Sequence, residues 1–199
     1  IENGRMRLVP EEVSLAKILS EFQVAIEYVK MGRKLDISYA QHDMIQDRVI
    51  VDALRLKQIY TNILSNAVKY TPDGGNVDVE IFEENPEEEK KIRLIAKIRD
   101  NGIGMSEEYM EEMYSKFTRA TDTRINKVQG HGLGLSIVKE LVDLMGGEIQ
   151  VRSKLGEGTL FEILIDLDYV NQKEETSVEE RKEDYAGYCK GMHLLVAED

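Results

Sequence analysis

Apolar positions along this chain keep two rhythms. In SLAKILSEFQVAIEYV (14–29), Leu15, Ile18, Leu19, Phe22, Ile26 and Val29 recur at helical spacing, with Ser14 placed as an N-cap. In KLDISYA (34–40), Leu35, Ile37 and Tyr39 alternate, so a strand is predicted. RVIVD (48–52) reads as a short strand or as an extended lead into the next helix. That helix is predicted from about Ala53 to Tyr70, stopped by Thr71-Pro72-Asp73-Gly74-Gly75. NVDVEIF (76–82) and KIRLIAKIRD (91–100) alternate again. Val77, Val79 and Ile81 form one buried face, and Ile92, Leu94, Ala96 and Ile98 another. EENPEEEKK between them is a charged hairpin loop.

Further along, NGIGMSEEYMEEMYSKF is a glycine turn leading into a short helix. Residues 118–132 have no clear period and read as a long loop. LGLSIVKELVDLMGG (133–147) is a helix buried at Ile137, Val138, Leu141, Val142 and Met145, ended by Gly146-Gly147. EIQVRS and TLFEILID close a hairpin around KLGEG. The element order is helix, strands, helix, two strands, helix, two strands. Crossover helices are too few for a doubly wound parallel sheet. The predicted class is therefore an α/β (α+β) two-layer sandwich, a mixed and mostly antiparallel sheet with helices on one face.

Composition narrows the function. Hydrophobic residues make up 42% of 199, enough for a core, and the formal net charge is -12. Such a chain lacks the basic footprint of a nucleic-acid binder, and any anionic ligand must be held by local cations. No apolar run reaches the length of a membrane span. A single cysteine, Cys189, allows no internal disulfide and suits a reducing compartment. A cytoplasmic location is expected, even where a parent protein is membrane-anchored.

The helix at 53–70 carries polar residues in an informative place. With about 100° per residue and Asn62 at zero, Asn66 falls near 40° and Lys69 near −20°. Ile59, Ile63, Leu56, Ala67, Tyr60 and Leu64 spread from about 60° to 200°, and Tyr70 sits on the seam near 80°. The polar stripe thus borders the apolar face, where a cleft would lie. Asparagine oxygen is a hard neutral ligand that magnesium accepts, and lysine suits phosphate. A stripe of solvated residues would look the same.

Two glycine motifs add to it. RDNGIGM (99–105) sets Asp100 at a strand end before Gly102 and Gly104. A buried carboxylate there could accept from an exocyclic amine, although a structural turn explains the motif equally well. QGHGLGLSI (129–137) sets Gly130, Gly132 and Gly134 before a helix, where amides and the helix N-terminus favour an anion. It is neither a Walker motif nor a Rossmann fingerprint. LGEGT (155–159) reads as a hairpin turn. The three histidines, His42, His131 and His193, suggest no hydrolytic triad or zinc site.

Taken in order, these segments resemble the ATP-binding catalytic domain of sensor histidine kinases in the GHKL superfamily. DALRLKQIYTNILSNAVKYTPDGG is similar to the N box, DNGIGM to the first glycine motif and SKFTRA to the F box. GHGLGLSIVKELVDLMGGEIQVRSKLGEGTLFEILI is similar to the later glycine motifs and closing strands. The resemblance covers about 13–168 and implies the GHKL (Bergerat) sandwich with ATP between helices and a mobile lid.

The resemblance also implies roles. Asn66 would coordinate magnesium, Asn62 would line the phosphate side, and Lys69 would contact phosphate; these three would be the catalytic set. Tyr70 would pack beside adenine and Asp100 would accept from its amine, with Gly102 and Gly104 close to the base. Phe117 would hinge a lid at about 118–132, with Arg119, Arg124 and Lys127 as its cations. Gly130, Gly132, Leu133, Gly134 and Leu135 would shape the triphosphate pocket, and Thr159 would also reach the nucleotide. The implied reaction moves the γ-phosphoryl group of ATP to a histidine on a separate domain. ATP-hydrolysing relatives carry a glutamate on the N-box helix where Asn62 stands here, and an amide is no general base.

The ends extend the resemblance. Residues 1–12 resemble the tail of a dimerisation and phosphoacceptor region, whose helices would be the partner in a homodimer. The catalytic domain is expected at 13–170, a flexible linker at 171–190, and the start of a receiver-like domain at 191–199, where Glu198 and Asp199 would be an acidic pair. A downstream receiver domain or response regulator is the second expected partner, as in a hybrid histidine kinase. No membrane contact by this segment is expected.

Overall fold

The computed structural model describes residues 6–42, 44–85, 90–115 and 134–170. In chain order the elements are β1 (Glu11–Ser14), α1 (Leu15–Lys30), β2 (Asp36–Gln41), β3 (Arg48–Val51), α2 (Ala53–Tyr70), β4 (Asn76–Glu84), β5 (Lys91–Asp100), α3 (Glu107–Glu112), α4 (Gly134–Leu144), β6 (Glu148–Lys154) and β7 (Gly158–Tyr169). The predicted helices and strands are all present within their expected segments. The strand β1 is an addition: EEVS has no apolar alternation, and only its antiparallel pairing with β3 makes it extended.

The strands form one sheet in the order β1-β3-β7-β5-β4-β2, with β6 paired to β7. The twelve-residue β7 organises it. One edge of β7 pairs with β5 from Thr159 to Asp168. The other edge serves β6 over 158–164 and then β3 at Asp168 and Tyr169. Only β2 and β4 run parallel among the described pairs, so the mixed, mostly antiparallel sheet is as predicted.

Alternation sends Val77, Val79, Ile81, Ile92, Leu94, Ala96, Ile98, Phe161, Ile163 and Ile165 to one side, where α1, α2 and α4 cover them. The predicted α1 residues Leu15, Ile18, Leu19, Phe22 and Ile26 are buried, and Ser14 caps the helix by accepting from the Lys17 amide. In α4, Val138, Leu141 and Val142 are buried, whereas Ile137 and Met145 are only partly so. Ser136 takes a buried place on α4 instead.

The start of α2 is anchored by Asp52, whose Oδ1 accepts from the Arg55 amide at 3.1 Å. Its Oδ2 accepts from the Val9 amide at 3.0 Å, tying the stretch before β1 to the helix. Replacing Asp52 with Ala should cost about 0.5–2 kcal/mol, the usual worth of an N-cap. Urea unfolding would measure the loss, and amide exchange should accelerate at Val9 as well as Arg55. Unchanged Val9 exchange would show that the second bond is not formed in solution.

Candidate functional site

The site lies where the last turns of α2, the loop after β5, the β6–β7 turn and the start of α4 converge. α2 buries Leu56, Ile59, Tyr60, Ile63, Leu64, Ala67 and Val68 against sheet and helices. Asn62, Asn66, Lys69 and Tyr70 are consequently half-buried on the border of that face, as the wheel predicts. Asn62 Nδ2 donates to the Gln58 carbonyl at 2.9 Å. A Cβ added at Gly134 would lie 3.5 Å from Asn62 Oδ1 and 4.0 Å from the Asn66 amide nitrogen. The first turn of α4 therefore sits against both asparagines. Its first amides have no intrahelical partner and form the positive end of the helix. Leu135 beside them is half-buried against the core. Lys69 extends its ammonium over the Tyr70 ring, 4.9 Å from the centroid.

The loop after β5 is held from three sides. Ile103 N donates to the Tyr70 carbonyl at 3.2 Å, and its own carbonyl accepts from Gly156 N at 2.7 Å. Met105 N donates to Ser153 Oγ at 2.9 Å. A Cβ at Gly102 would fall 2.5 Å from the Tyr70 carbonyl oxygen. At Gly104, with φ +64°, it would fall 1.9 Å from the Lys154 carbonyl oxygen. These glycines are required by close backbone contact, so the structural reason for the motif is real and coexists with any ligand role.

Asp100 is the buried acid of the site. Its Oδ1 accepts from Gly102 N at 2.8 Å. Burial pushes its carboxyl up to about 6, against the opposing pull of backbone bonds from Gly102 and Thr159. Thr159 is buried too, and its hydroxyl shares a 2.8 Å hydrogen bond with Ser153. A carboxylate held dry in this way is primed to accept from a donor that a ligand brings.

Three contributors are given no role by the sequence reading. Arg33 lies in the α1–β2 connection, yet its Nη1 donates to the Val68 carbonyl at 2.9 Å and its Nη2 to the Thr71 carbonyl at 2.6 Å. Its Nε pairs with Asp73 at 3.1 Å. The arginine caps the end of α2 and steadies the turn that carries Lys69 and Tyr70. Tyr109 of α3 is half-buried, its hydroxyl pushed up by burial and by neighbouring Tyr70. Ser153 is the third. Arg33 arrives from a distant segment; Tyr109 and Ser153 lie near Gly104 and Thr159 in the chain, but only the fold shows what they touch.

Phe117, Arg119, Arg124, Lys127, Gly130, Gly132 and Leu133 lie outside the described residues, as does the expected loop at 118–132. His131 and His193 lie outside them as well, while His42 packs edge-on against Phe82 with ring centroids 6.0 Å apart. Among the described residues no group of three or more His, Cys, Asp or Glu could hold a metal.

A family model described as histidine kinase-, DNA gyrase B-, and HSP90-like ATPase matches residues 51–169. The chain belongs to this family. The Sensor protein GacS of Pseudomonas syringae pv. syringae is 39% identical over 178 residues, covering 89% of this chain and 19% of that protein. Autoinducer 2 sensor kinase/phosphatase LuxQ of Vibrio vulnificus (strain YJ016) is 30% identical over 202 residues, 100% of this chain and 23% of that one. The solved structure of the Mycobacterial sensor histidine kinase MprB superposes with a TM-score of 0.62 at 26% identity, covering 81% of this chain and 100% of that chain. This histidine kinase-type ATPase domain is homologous to sensor histidine kinase catalytic domains. The chain spans about a fifth of the length of the curated relatives it matches. No helix among the described residues is long and apolar enough to cross a membrane.

The raised Asp100 carboxyl makes a stability prediction for the free domain. The folded state holds this proton more tightly than the unfolded chain does. The contribution of Asp100 is therefore fully present below the ordinary carboxyl value of 3.8 and is lost as pH rises to about 6. Urea midpoints of wild type and Asp100→Asn, measured from pH 4 to pH 7, should diverge across that window, the wild type falling relative to the variant. Parallel curves would show that Asp100 titrates normally.

Proposed function

We propose that this chain is the ATP-binding catalytic domain of a two-component sensor histidine kinase. It transfers the γ-phosphoryl group of ATP to a histidine on a separate dimerisation domain. The observation that carries this reading is the junction of α2 and α4, where Asn62 and Asn66 face the first turn of α4 at Gly134. Phosphoryl transfer asks a protein mainly for positioning and for stabilisation of spread negative charge. Helix-end amides and neutral asparagines offer that without a proton acceptor.

Asp100 would accept from the adenine amine, with Gly102 and Gly104 leaving the base room against the backbone and Tyr70 beside it. Thr159 closes the same end. Asn62 and Gly134 would line the phosphates, with Leu135 beneath them. Lys69 would leave its place over Tyr70 to meet a phosphate oxygen. Asn66 would hold magnesium, which when bound neutralises phosphate charge. Phe117, Arg119, Arg124, Lys127, Gly130, Gly132 and Leu133 complete the proposed triphosphate pocket and its lid. Asn62 cannot activate water, which favours transfer over hydrolysis.

The proposed partners follow from the chemistry. A histidine-bearing dimerisation domain of the same protein supplies the acceptor, and a receiver domain, opening at 191–199 after a linker at 171–190, takes the phosphoryl group onward. We place the domain itself at 13–170, in the cytoplasm.

Two measurements test this. The chain is mixed with Mg-ATP and a separately made phosphoacceptor fragment, and acid-labile phosphohistidine is followed. Asn66→Asp should lower transfer by about a hundredfold or more, as loss of a key charge-stabilising group does. Near-normal transfer would remove Asn66 from the metal site, and phosphate release without the fragment would favour an ATPase. In calorimetry, Asp100→Asn should weaken ATP by about tenfold, the worth of a charge-assisted hydrogen bond, and leave inorganic triphosphate unaffected. Equal losses for both ligands would remove Asp100 from the adenine end.

A further inference from the structure

The face of the sheet turned away from the helices carries a ladder of opposite charges between β5 and β7. Arg93 donates to Asp166 from Nε at 2.7 Å and from Nη2 at 2.8 Å. Lys97 lies 3.0 Å from Glu162 and over the Phe82 ring. At Arg99 the ladder breaks. Its register partner on β7 is Leu160, and on the far side of Leu160 stands Arg152 of β6. Both arginines are exposed, and neither side chain has a hydrogen bond or ion pair among the described residues. On the other flank Asp78 neighbours Arg99 in the sheet, but its carboxylate accepts from the Ser38 hydroxyl at 2.6 Å and stays outside ion-pair distance of the guanidinium.

In a chain with 38 acidic and 26 basic residues, acids are abundant enough to satisfy every surface cation. Arg99 and Arg152 are thus two unpaired guanidiniums on one sheet face, on either side of Leu160, open to a ligand from solution. Between them lies a cavity of about 540 Å³, floored by Leu160 and rimmed by Lys154, whose ammonium is already engaged by Glu157. Concave volumes of this order suit a small molecule more than a flat protein surface. Guanidinium forks match phosphate and carboxylate oxygens in pairs.

We propose that this cavity binds a small organic oxyanion, its charged group held between Arg99 and Arg152 and its apolar part resting on Leu160. The site is distinct from the α2–α4 junction. On the same strands the side chains of Asp100, Ser153 and Thr159 alternate to the opposite face, although these residues also line the cavity. The inference does not rest on the nucleotide reading.

The test follows the side-chain Nε–H resonances of the full ¹⁵N-labelled chain. Mg-AMPPNP is added in excess to keep probes away from the α2–α4 junction, and the arginine signals remain specific whether or not it binds. Inorganic pyrophosphate and, separately, citrate are titrated in. Arg99 and Arg152 should shift to saturation while the internally paired Arg93 does not. Saturation by pyrophosphate assigns a phosphate ester, and saturation by citrate a carboxylate. By calorimetry, Arg152→Gln and the double variant Arg99→Gln/Arg152→Gln should bind the effective probe about tenfold or more weakly, as loss of a charge-assisted pair does. Circular dichroism of both variants should match wild type, since both side chains are exposed. Shifts that grow linearly without saturation, or equal affinity in the variants, would overturn the proposal.

Discussion

Everything at the site depends on how α2 meets the sheet. Seven of its residues are buried, and their arc leaves no freedom in how the helix is rolled. A helix fixed in this way must present Asn62, Asn66, Lys69 and Tyr70 along the margin of its contact. Turning it by one residue's angle, about 100°, would put Asn66 into hydrocarbon and Leu64 into water. Apolar packing therefore aims the polar groups, and the site inherits the rigidity of the core.

The second constraint is the passage of the chain after β5. It threads between the end of α2 and the β6–β7 hairpin, bonded to Tyr70 on one side and to Ser153 and Gly156 on the other. That contact is too close for side chains at Gly102 and Gly104. It also helps to bury most of Asp100, and that burial raises its carboxyl to about 6. One packing event thus produces both the tight turn and the perturbed acid. Arg33 completes the arrangement by satisfying carbonyls at the end of α2 that the helix itself leaves open.

The sheet also separates two surfaces with different tasks. Its helix side is dry and carries Asp100 and Thr159 at the rim. Its other side is charged, with Arg93 and Lys97 neutralised across strands. Because strand residues alternate faces, Arg99 and Asp100 are adjacent in the chain yet belong to opposite surfaces. Substitutions in 99–100 or 159–160 should therefore be read one residue at a time.

Much of this was legible in the sequence. Periodicity alone located α1, α2, β4 and β5, because each buries one face and so repeats its apolar residues at the period of its geometry. The order of motifs identified the family, and the wheel of α2 placed Asn62, Asn66, Lys69 and Tyr70 together beside the core. Tertiary structure decided the rest. β1 is extended only because β3 offers it an edge. Arg33 reaches the site from a remote segment, and the contacts of Arg33, Tyr109 and Ser153 are set by distance in space. The free pair Arg99 and Arg152 arises from the registers of β5, β7 and β6, which put Leu160 between them. Local pattern determines what an element buries; only the assembled sheet determines which residues of different elements become neighbours.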